Sequence, residues 1–394
     1  MTEPLRVLVL STSYPLRPAS SCGVFVRRLV DALGAHCAAT VLCPADDADE
    51  PVRATGAARL VAFRYAPRRW QGLAQSPGGV LPALRARPAL FALLPCFLVA
   101  LSWSLLRLAR RADVIHANWA ISGALAGLLQ PLHRRPIVVT LRGDDVTVAA
   151  RSGLHRRLLR LAVARASAVV CVAETMAQHL RAAMPDCAAK VRVVLNGVDA
   201  QFHAEPPVPP LRSVFVGSLI PRKGVDLLVQ AFARLGEPAG LLRLVGDGPE
   251  RERLEALAQT LGVRDRVEFI GQVAPEQVAG HLAASQVFVL PSHSEGRPNV
   301  LLEAMAGGTA VVATRIAGVV DTLDDGEQGW LCEPGDVDSL STALGDALQR
   351  PAERLRRVAA ARRRVEAEGW TWPAAAQRYA DVFAAAAGRA GVAS

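Results

Sequence analysis

Thirteen short apolar runs rich in β-branched residues recur along this chain, each followed by a helical stretch. Seven lie in the first half, at 6–12, 39–44, 59–65, 113–119, 137–143, 168–174 and 191–197. Six lie in the second, at 213–219, 241–246, 266–271, 287–291, 310–314 and 329–332. Unbroken runs such as VVCVA and VFVL fit strands buried on both faces, because a half-exposed strand would alternate apolar with polar side chains. Alternation with helices predicts parallel sheets joined by crossover helices. Segment 250–262 is one such crossover: Leu254, Leu257, Ala258 and Leu261 share a helical face.

A length of 394 residues exceeds one ordinary core and suits two. Residues 205–210 hold four prolines in six positions, which form neither helix nor central strand and read as a stiff linker. The expected organisation is a lobe at 1–205, a second at 206–370 and a closing helix at 371–394. Two such open sheets would bind ligand beyond the carboxyl ends of their strands, in a cleft between the lobes.

The net charge of +9 is unevenly placed. Residues 1–205 carry 25 Arg and Lys against 13 Asp and Glu, while 206–394 carry 20 against 23. The basic half predicts an anionic partner. Only 5% of residues are aromatic, and no basic-aromatic platform is present, so nucleic acid is not the expected partner. Seven dispersed cysteines lack CxxC or metal spacing and suit reduced thiols in a cytoplasmic protein. The opening MTEPLRVLVLST runs straight into a strand without a signal-like core.

Chemistry concentrates in the second half. After the run 287–291 comes SHSEGRPNVLLEAMAGG, placing Glu295 in a loop and Glu303 inside a helix that begins near Pro298. Backbone amides of Asn299, Val300 and Leu301 at that helix start would face an anion. In FVGSLIPRKG, Gly217 opens a loop ending in Arg222 and Lys223, a fork and a point charge suited to a diphosphate. Lys223 is one of two lysines in the chain, so arginine bias does not explain it. LVGDGP at 244–249 is a further glycine turn at a strand end. The acidic pairs Asp46-Asp47, Asp144-Asp145 and Asp324-Asp325 have no third ligand nearby in sequence and read as solvated loops and a cap.

Together VGSLIPRKGVDLLVQAF, LVGDGPE, IGQV and EGRPNVLLEAMAGG, in this order and spacing, resemble family 4 of the retaining glycosyltransferases. These hexosyltransferase-type enzymes include those of bacterial cell-surface polysaccharide synthesis. The resemblance implies the α/β GT-B fold, with two Rossmann-like parallel-sheet lobes facing each other across a cleft. It implies a nucleoside-diphosphate sugar donor of UDP or GDP type, held by the second lobe, and a glycan or lipid-linked glycan acceptor on the first. It implies neither cofactor nor metal. By position, Arg222 and Lys223 would neutralise the departing diphosphate and Glu295 would hold the donor sugar's hydroxyls. Glu303 would hold the ribose, and Gln272 and Val273 would flank the nucleobase. In the first lobe Gly23 would approach the donor phosphates, with Cys22 where many relatives carry another glycine. Asn118 replaces the second histidine of a His-x-His strand end and cannot titrate, which leaves His116 a structural reading. Arg142 and Asp145 would contact acceptor or sugar, Asp144 standing where the related pattern has serine.

Other readings share these residues: a sugar-nucleotide 2-epimerase of the same fold, or a non-catalytic nucleotide-sugar-binding protein. Finally, residues 89–106 are uncharged, with Arg85 and Arg87 before them and Arg107, Arg110 and Arg111 after. Pro95 and the stripe Leu90, Leu94, Phe97, Leu101, Leu105 and Leu108 argue against a spanning helix. Two readings stay open, a core helix or an interfacial helix on an anionic membrane surface, which would make the chain peripheral on the inner face of the cell membrane.

Overall fold

The computed structural model describes the chain except for residues 1–2, 18–19, 21, 47–57, 74–83, 85–86, 144, 147–148, 150–151, 204–210 and 390–394. Asp47, Arg85, Asp144 and the 205–210 linker therefore lie outside the described residues. Two compact units result: Met1–Asn196 with Trp372–Ser394, and Gly197–Thr371. The chain thus changes unit between Asn196 and Gly197, ahead of the boundary read from the prolines, and again between Thr371 and Trp372.

In the first unit, β1 (Leu5–Leu10), β2 (Cys37–Pro44), β3 (Arg59–Phe63), β4 (Val114–Asn118), β5 (Ile137–Leu141), β6 (Ala168–Cys171) and β7 (Val191–Val193) form one parallel sheet. Its order is β3-β2-β1-β4-β5-β6-β7. The helices are α1 (Val24–Leu33), α2 (Leu94–Ala109), α3 (Ala120–His133), α4 (Gly153–Arg165) and α5 (Glu174–Ala183). Every residue of β4 and β5 is buried, because helices cover both faces. Leu8, Leu10, Ile115, Ala117, Ile137 and Val139 point to a core shared with α2, α3, α4 and α5. Their alternates Val7, Val9, Val114 and Val138 point to a second core under α1 and the C-terminal helix.

The second unit repeats the plan. Strands β8 (Leu211–Val216), β9 (Leu242–Val245), β10 (Val267–Gly271), β11 (Ser285–Leu290), β12 (Ala310–Thr314) and β13 (Trp330–Cys332) run parallel in the order β10-β9-β8-β11-β12-β13. Its helices are α6 (Val225–Leu235), α7 (Arg251–Thr260), α8 (Val278–Ala283), α9 (Asn299–Gly307), α10 (Ala317–Val320), α11 (Val337–Gln349) and α12 (Pro351–Ala367). Helices α6, α7 and α11 share a core with one sheet face. Leu254 and Ala258 of α7 are buried as their spacing predicts, while Leu261 stays 38% exposed just past the helix end.

The last helix, α13 (Trp372–Ala386), belongs to the first unit. It buries Trp372, Ala375, Ala376, Tyr379 and Phe383 against that sheet and α1. Helix α2 packs Phe97, Leu101, Leu105 and Ala109 into the other core, with Phe97 against Phe63 and Tyr65 at centroid distances of 5.5 and 5.1 Å. The opposite face of this helix points outward, and the segment Pro88–Ala109 is long and apolar enough to cross a membrane.

Candidate active site

Each sheet has a switch point where chain order reverses, between β1 and β4 in one unit and between β8 and β11 in the other. Loops leaving the carboxyl ends of these paired strands diverge to opposite faces and open a crevice, the usual ligand position in such sheets. Gly23, Asn118, Gly217, Arg222, Lys223 and Glu295 lie on or beyond the ends of these four strands, while Arg142 and Asp145 follow β5 and Gln272 and Val273 follow β10.

In the second unit the loop after β8 turns through Pro221–Lys223 and enters α6 at Gly224, whose φ is +60°. A Cβ there would lie 2.3 Å from the Pro291 carbonyl oxygen, so only glycine lets this loop press on the end of β11. The amide of His293 then donates to the Arg222 carbonyl at 2.9 Å, stitching the loops together. The result is a charge cluster. Lys223 Nζ donates to Glu295 Oε1 at 2.6 Å, Ser292 Oγ to the same oxygen at 2.7 Å, and Arg222 to Glu295 Oε2 at 3.4 Å. Arg222 also donates to the Ser294 carbonyl at 2.8 Å. Only 7% of the Glu295 side chain is exposed, against 14% for Lys223 and 35% for Arg222. Burial pushes the Glu295 carboxyl up, but the Lys223 and Arg222 charges and the two short hydrogen bonds outweigh it and hold its pKa below the ordinary value.

The Glu295 backbone is clamped from two more sides. Gly318 of α10 lies so close that a Cβ would meet the Gly296 oxygen at 2.3 Å and the Glu295 oxygen at 2.7 Å. Buried Arg297 stacks on Trp370 at 4.5 Å and donates to Thr322 Oγ1 at 3.2 Å. Burial lowers its pKa to about 9. Gly318 was not foreseen, since nothing in IAGVV distinguishes it from an ordinary helix residue.

The remaining predicted residues of this unit lie on the turn after β10 and on α9. Gly246 and Gly248 lie against the loop that Gly217 opens: Cβ atoms there would fall 1.9 Å from the Gly217 oxygen and 2.3 Å from the Leu219 oxygen. The Gly246 amide donates to the Gly271 carbonyl at 2.8 Å, bringing Gln272 and Val273 beside the same turn. Pro298 occupies the cap position ahead of α9, with Asn299 and Val300 partly exposed at its start. The amide of Leu301 donates to the Pro298 carbonyl at 3.1 Å, and its side chain is core. The tight first turn thus engages that N–H internally. Glu303, 6% exposed, lies a turn further along α9.

In the first unit, Gly23 has φ +69° and caps α1, and a Cβ there would meet the Ser13 oxygen at 2.2 Å. Asn118 ends β4 and accepts from Arg142 at 3.1 and 2.8 Å. Arg142 also reaches Asn196 Oδ1 at 3.3 Å and stacks on Phe25 at 4.6 Å. Burial lowers its pKa, partly offset by Tyr379 and Asp145. Asp145 accepts the backbone amides of Ala120 at 2.7 Å and Arg142 at 2.9 Å through its two oxygens. It braces the loop that carries Arg142. His116 is wholly buried beneath this cluster, 2.8 Å from Thr140 Oγ1 and packed on Tyr379 and Phe383. Burial lowers its pKa to about 3, so it is neutral.

Sequence reasoning missed Trp119. It follows Asn118 with φ 67° and ψ 153°, a region that glycine alone adopts easily, and it packs edge-on against Phe25 at 6.1 Å. No local signal marks it. Asn196 carried a signal, a polar residue at the end of a predicted strand. Asp324 and Asp325 are braces, bound to Arg364 and to Arg315 respectively. Among the described residues no three His, Cys, Asp or Glu side chains are grouped to hold a metal.

Two Rossmann-like parallel sheets, each with its polar residues at the switch point, define the GT-B class of glycosyltransferases. The model for glycosyltransferase family 4 matches residues 22–202, and that for glycosyl transferases group 1 matches 200–364. A phosphatidylinositol monomannoside mannosyltransferase of Mycolicibacterium smegmatis, GDP-mannose-dependent and α-(1-6)-specific by name, is 31% identical over 68% of this chain and 76% of its own. The N-acetyl-α-D-glucosaminyl L-malate synthase of Bacillus anthracis is 30% identical over 62% and 68%. The sucrose-phosphate synthase structure from Thermosynechococcus elongatus superposes with a TM-score of 0.78 at 26% identity, covering 97% of this chain and all of that one. This chain belongs to glycosyltransferase family 4 and is a glycosyltransferase.

Proposed function

We propose that the chain moves a hexose, with retention at the anomeric carbon, from a nucleoside-diphosphate sugar to a lipid-linked glycan in cell-surface polysaccharide synthesis. The observation that carries the donor side is the convergence of Arg222, Lys223 and Glu295 at the β8–β11 switch point. Two cations on one buried carboxylate leave net positive charge beside the crevice. As the anomeric C–O bond breaks, negative charge builds on the diphosphate, and these preorganised cations stabilise it without reorganisation. Retention then follows when the acceptor oxygen attacks from the face that the diphosphate leaves, and a diphosphate oxygen takes the acceptor's proton. Glu295 fixes both cations and reaches the sugar's hydroxyls; Glu303 takes the ribose, and Gln272 and Val273 flank the base. The Mycolicibacterium relative, named for GDP-mannose and a phosphatidylinositol mannoside, supports a nucleotide-sugar donor and an acceptor on lipid. The site of action is the cytoplasmic face of the cell membrane.

A panel of UDP and GDP sugars screened by thermal shift, followed by transfer assays on the stabilising donor, tests this. One donor should raise the melting temperature by mass action, and the product's anomeric configuration should match the donor's. An inverted product, or stabilisation by none of the panel, would reject the proposal.

A further inference from the structure

The face of the first unit that carries α2 and α3 is apolar on the outside as well as the inside. Within the apolar segment Pro88–Ala109 only Phe97, Leu101, Leu105 and Ala109 are buried. Opposite the Phe97–Leu101–Leu105 seam, Leu98, Val99, Ser102, Trp103 and Leu106 line a shallow apolar depression. Val99 is 69% exposed and Trp103 70%. Neighbouring α3 does the same: Leu128 and Leu132, one turn apart, are 62% and 69% exposed. Two adjacent helices thus present bulky apolar side chains outward, far from the scattered singles of an ordinary surface.

The charge around this face has one sign. Segments 88–112, 120–135 and 153–166 contain no acidic residue and nine arginines. Arg107, Arg110 and Arg111 follow the apolar part of α2, Arg134 follows α3, and Arg157 and Arg160 are exposed on α4, which packs beside α3. At the other end of the segment Gly72 lies against Leu90, and close by in sequence Arg69 stacks on Trp70, itself 52% exposed. Exposed aliphatic side chains framed by tryptophans and arginines match the layers of an anionic bilayer: acyl chains, interface and headgroups.

We propose that α2 and α3 together form a docking face for an anionic lipid bilayer. The helices lie in the plane of the interface. Val99, Trp103, Leu128 and Leu132 enter the acyl boundary while the arginines meet lipid phosphates. The proposal deepens the lipid-linked acceptor reading but does not depend on transfer taking place.

Flotation of the full chain with phosphatidylcholine vesicles, with and without phosphatidylglycerol, tests the face. Wild-type protein should float with phosphatidylglycerol vesicles at low salt and be released as salt screens the arginines. Changing Val99, Trp103, Leu128 and Leu132 together to serine should weaken binding at least about tenfold. These side chains are exposed, so an unchanged melting temperature verifies the variant's fold. Failure of the wild type to float at low salt overturns the proposal, as does a serine variant that floats equally well. A lipid-free dimer that the same substitutions dissolve overturns it too, by assigning the face to a second copy. Vesicle binding without any sugar transfer would sink the proposed activity and leave the docking face standing.

Discussion

Lys223 and Arg222 each do two things, and substitution separates them. Both supply charge near the crevice, and both compensate the buried Glu295 carboxylate. Lys223→Met should lower kcat about 100- to 1,000-fold, the range for losing one preorganised charge donor. It should also lower stability, since it strips the main partner from a buried anion. In Lys223→Met/Glu295→Gln the stability loss should largely recover while kcat stays low. Recovery of kcat alongside stability would show that the cluster is only structural. The pH response follows from the lowered Glu295 pKa. A carboxyl with a depressed folded pKa contributes stability above its unfolded value, near about 4.3, and loses it as pH falls through the folded value. The stability gap between wild type and Glu295→Gln should therefore close on acidification, as denaturant titrations below about pH 4 would read. His116 acts in the same direction, in a higher pH window. Its folded pKa of about 3 lies below the free value, so the unfolded chain binds more protons and stability falls as pH drops under 6.5. Replacing His116 with Gln should remove a slope of up to about 1.4 kcal/mol per pH unit. An unchanged slope between about pH 6 and 4 would mean that other groups carry it.

At the scale of elements, the site depends on backbones lying closer than a Cβ allows. Gly318→Ala should displace the Glu295 loop and cut activity severely, because both blocking atoms are backbone oxygens. Gly262→Ala is the contrast. Gly262 has φ +68° with open space around it, so the change should cost about 1 kcal/mol of backbone strain and leave turnover intact. Equal activity in the two variants would remove Gly318 from the site's support. The contrast also marks what a sequence expresses. All thirteen apolar runs became strands, and burial on both faces explains the unbroken signature of central ones such as β4, β5 and β12. The cluster of Arg222, Lys223 and Glu295 was legible as chemistry but not as one ion-paired group, since the pairing arises from loops 72 residues apart. The engagement of the Leu301 amide and the Asp145 oxygens is a matter of local hydrogen bonding that residue type does not encode. Nor did the stripe on α2 show its outward face, because both faces are apolar.

For the whole molecule, the first unit is discontinuous in sequence. Its core needs Tyr379 and Phe383, which are buried completely or nearly so. Phe383→Ala should destabilise that unit by about 3–5 kcal/mol, read as early protease cleavage within 1–196. Cleavage unchanged from wild type would show that the helix is dispensable. The same feature sets an order of manufacture. At roughly 5–20 residues per second, the ribosome spends about 10–35 seconds on the second unit before α13 can emerge. Throughout that interval the seven-stranded sheet has been made, yet one of its faces has α1 and lacks α13. The second unit, continuous from Gly197 to Thr371, has every segment it needs before the first does. The half of the enzyme translated first is therefore the half that finishes folding last, and a nascent chain stalled just short of Trp372 is where a chaperone would find its largest client surface.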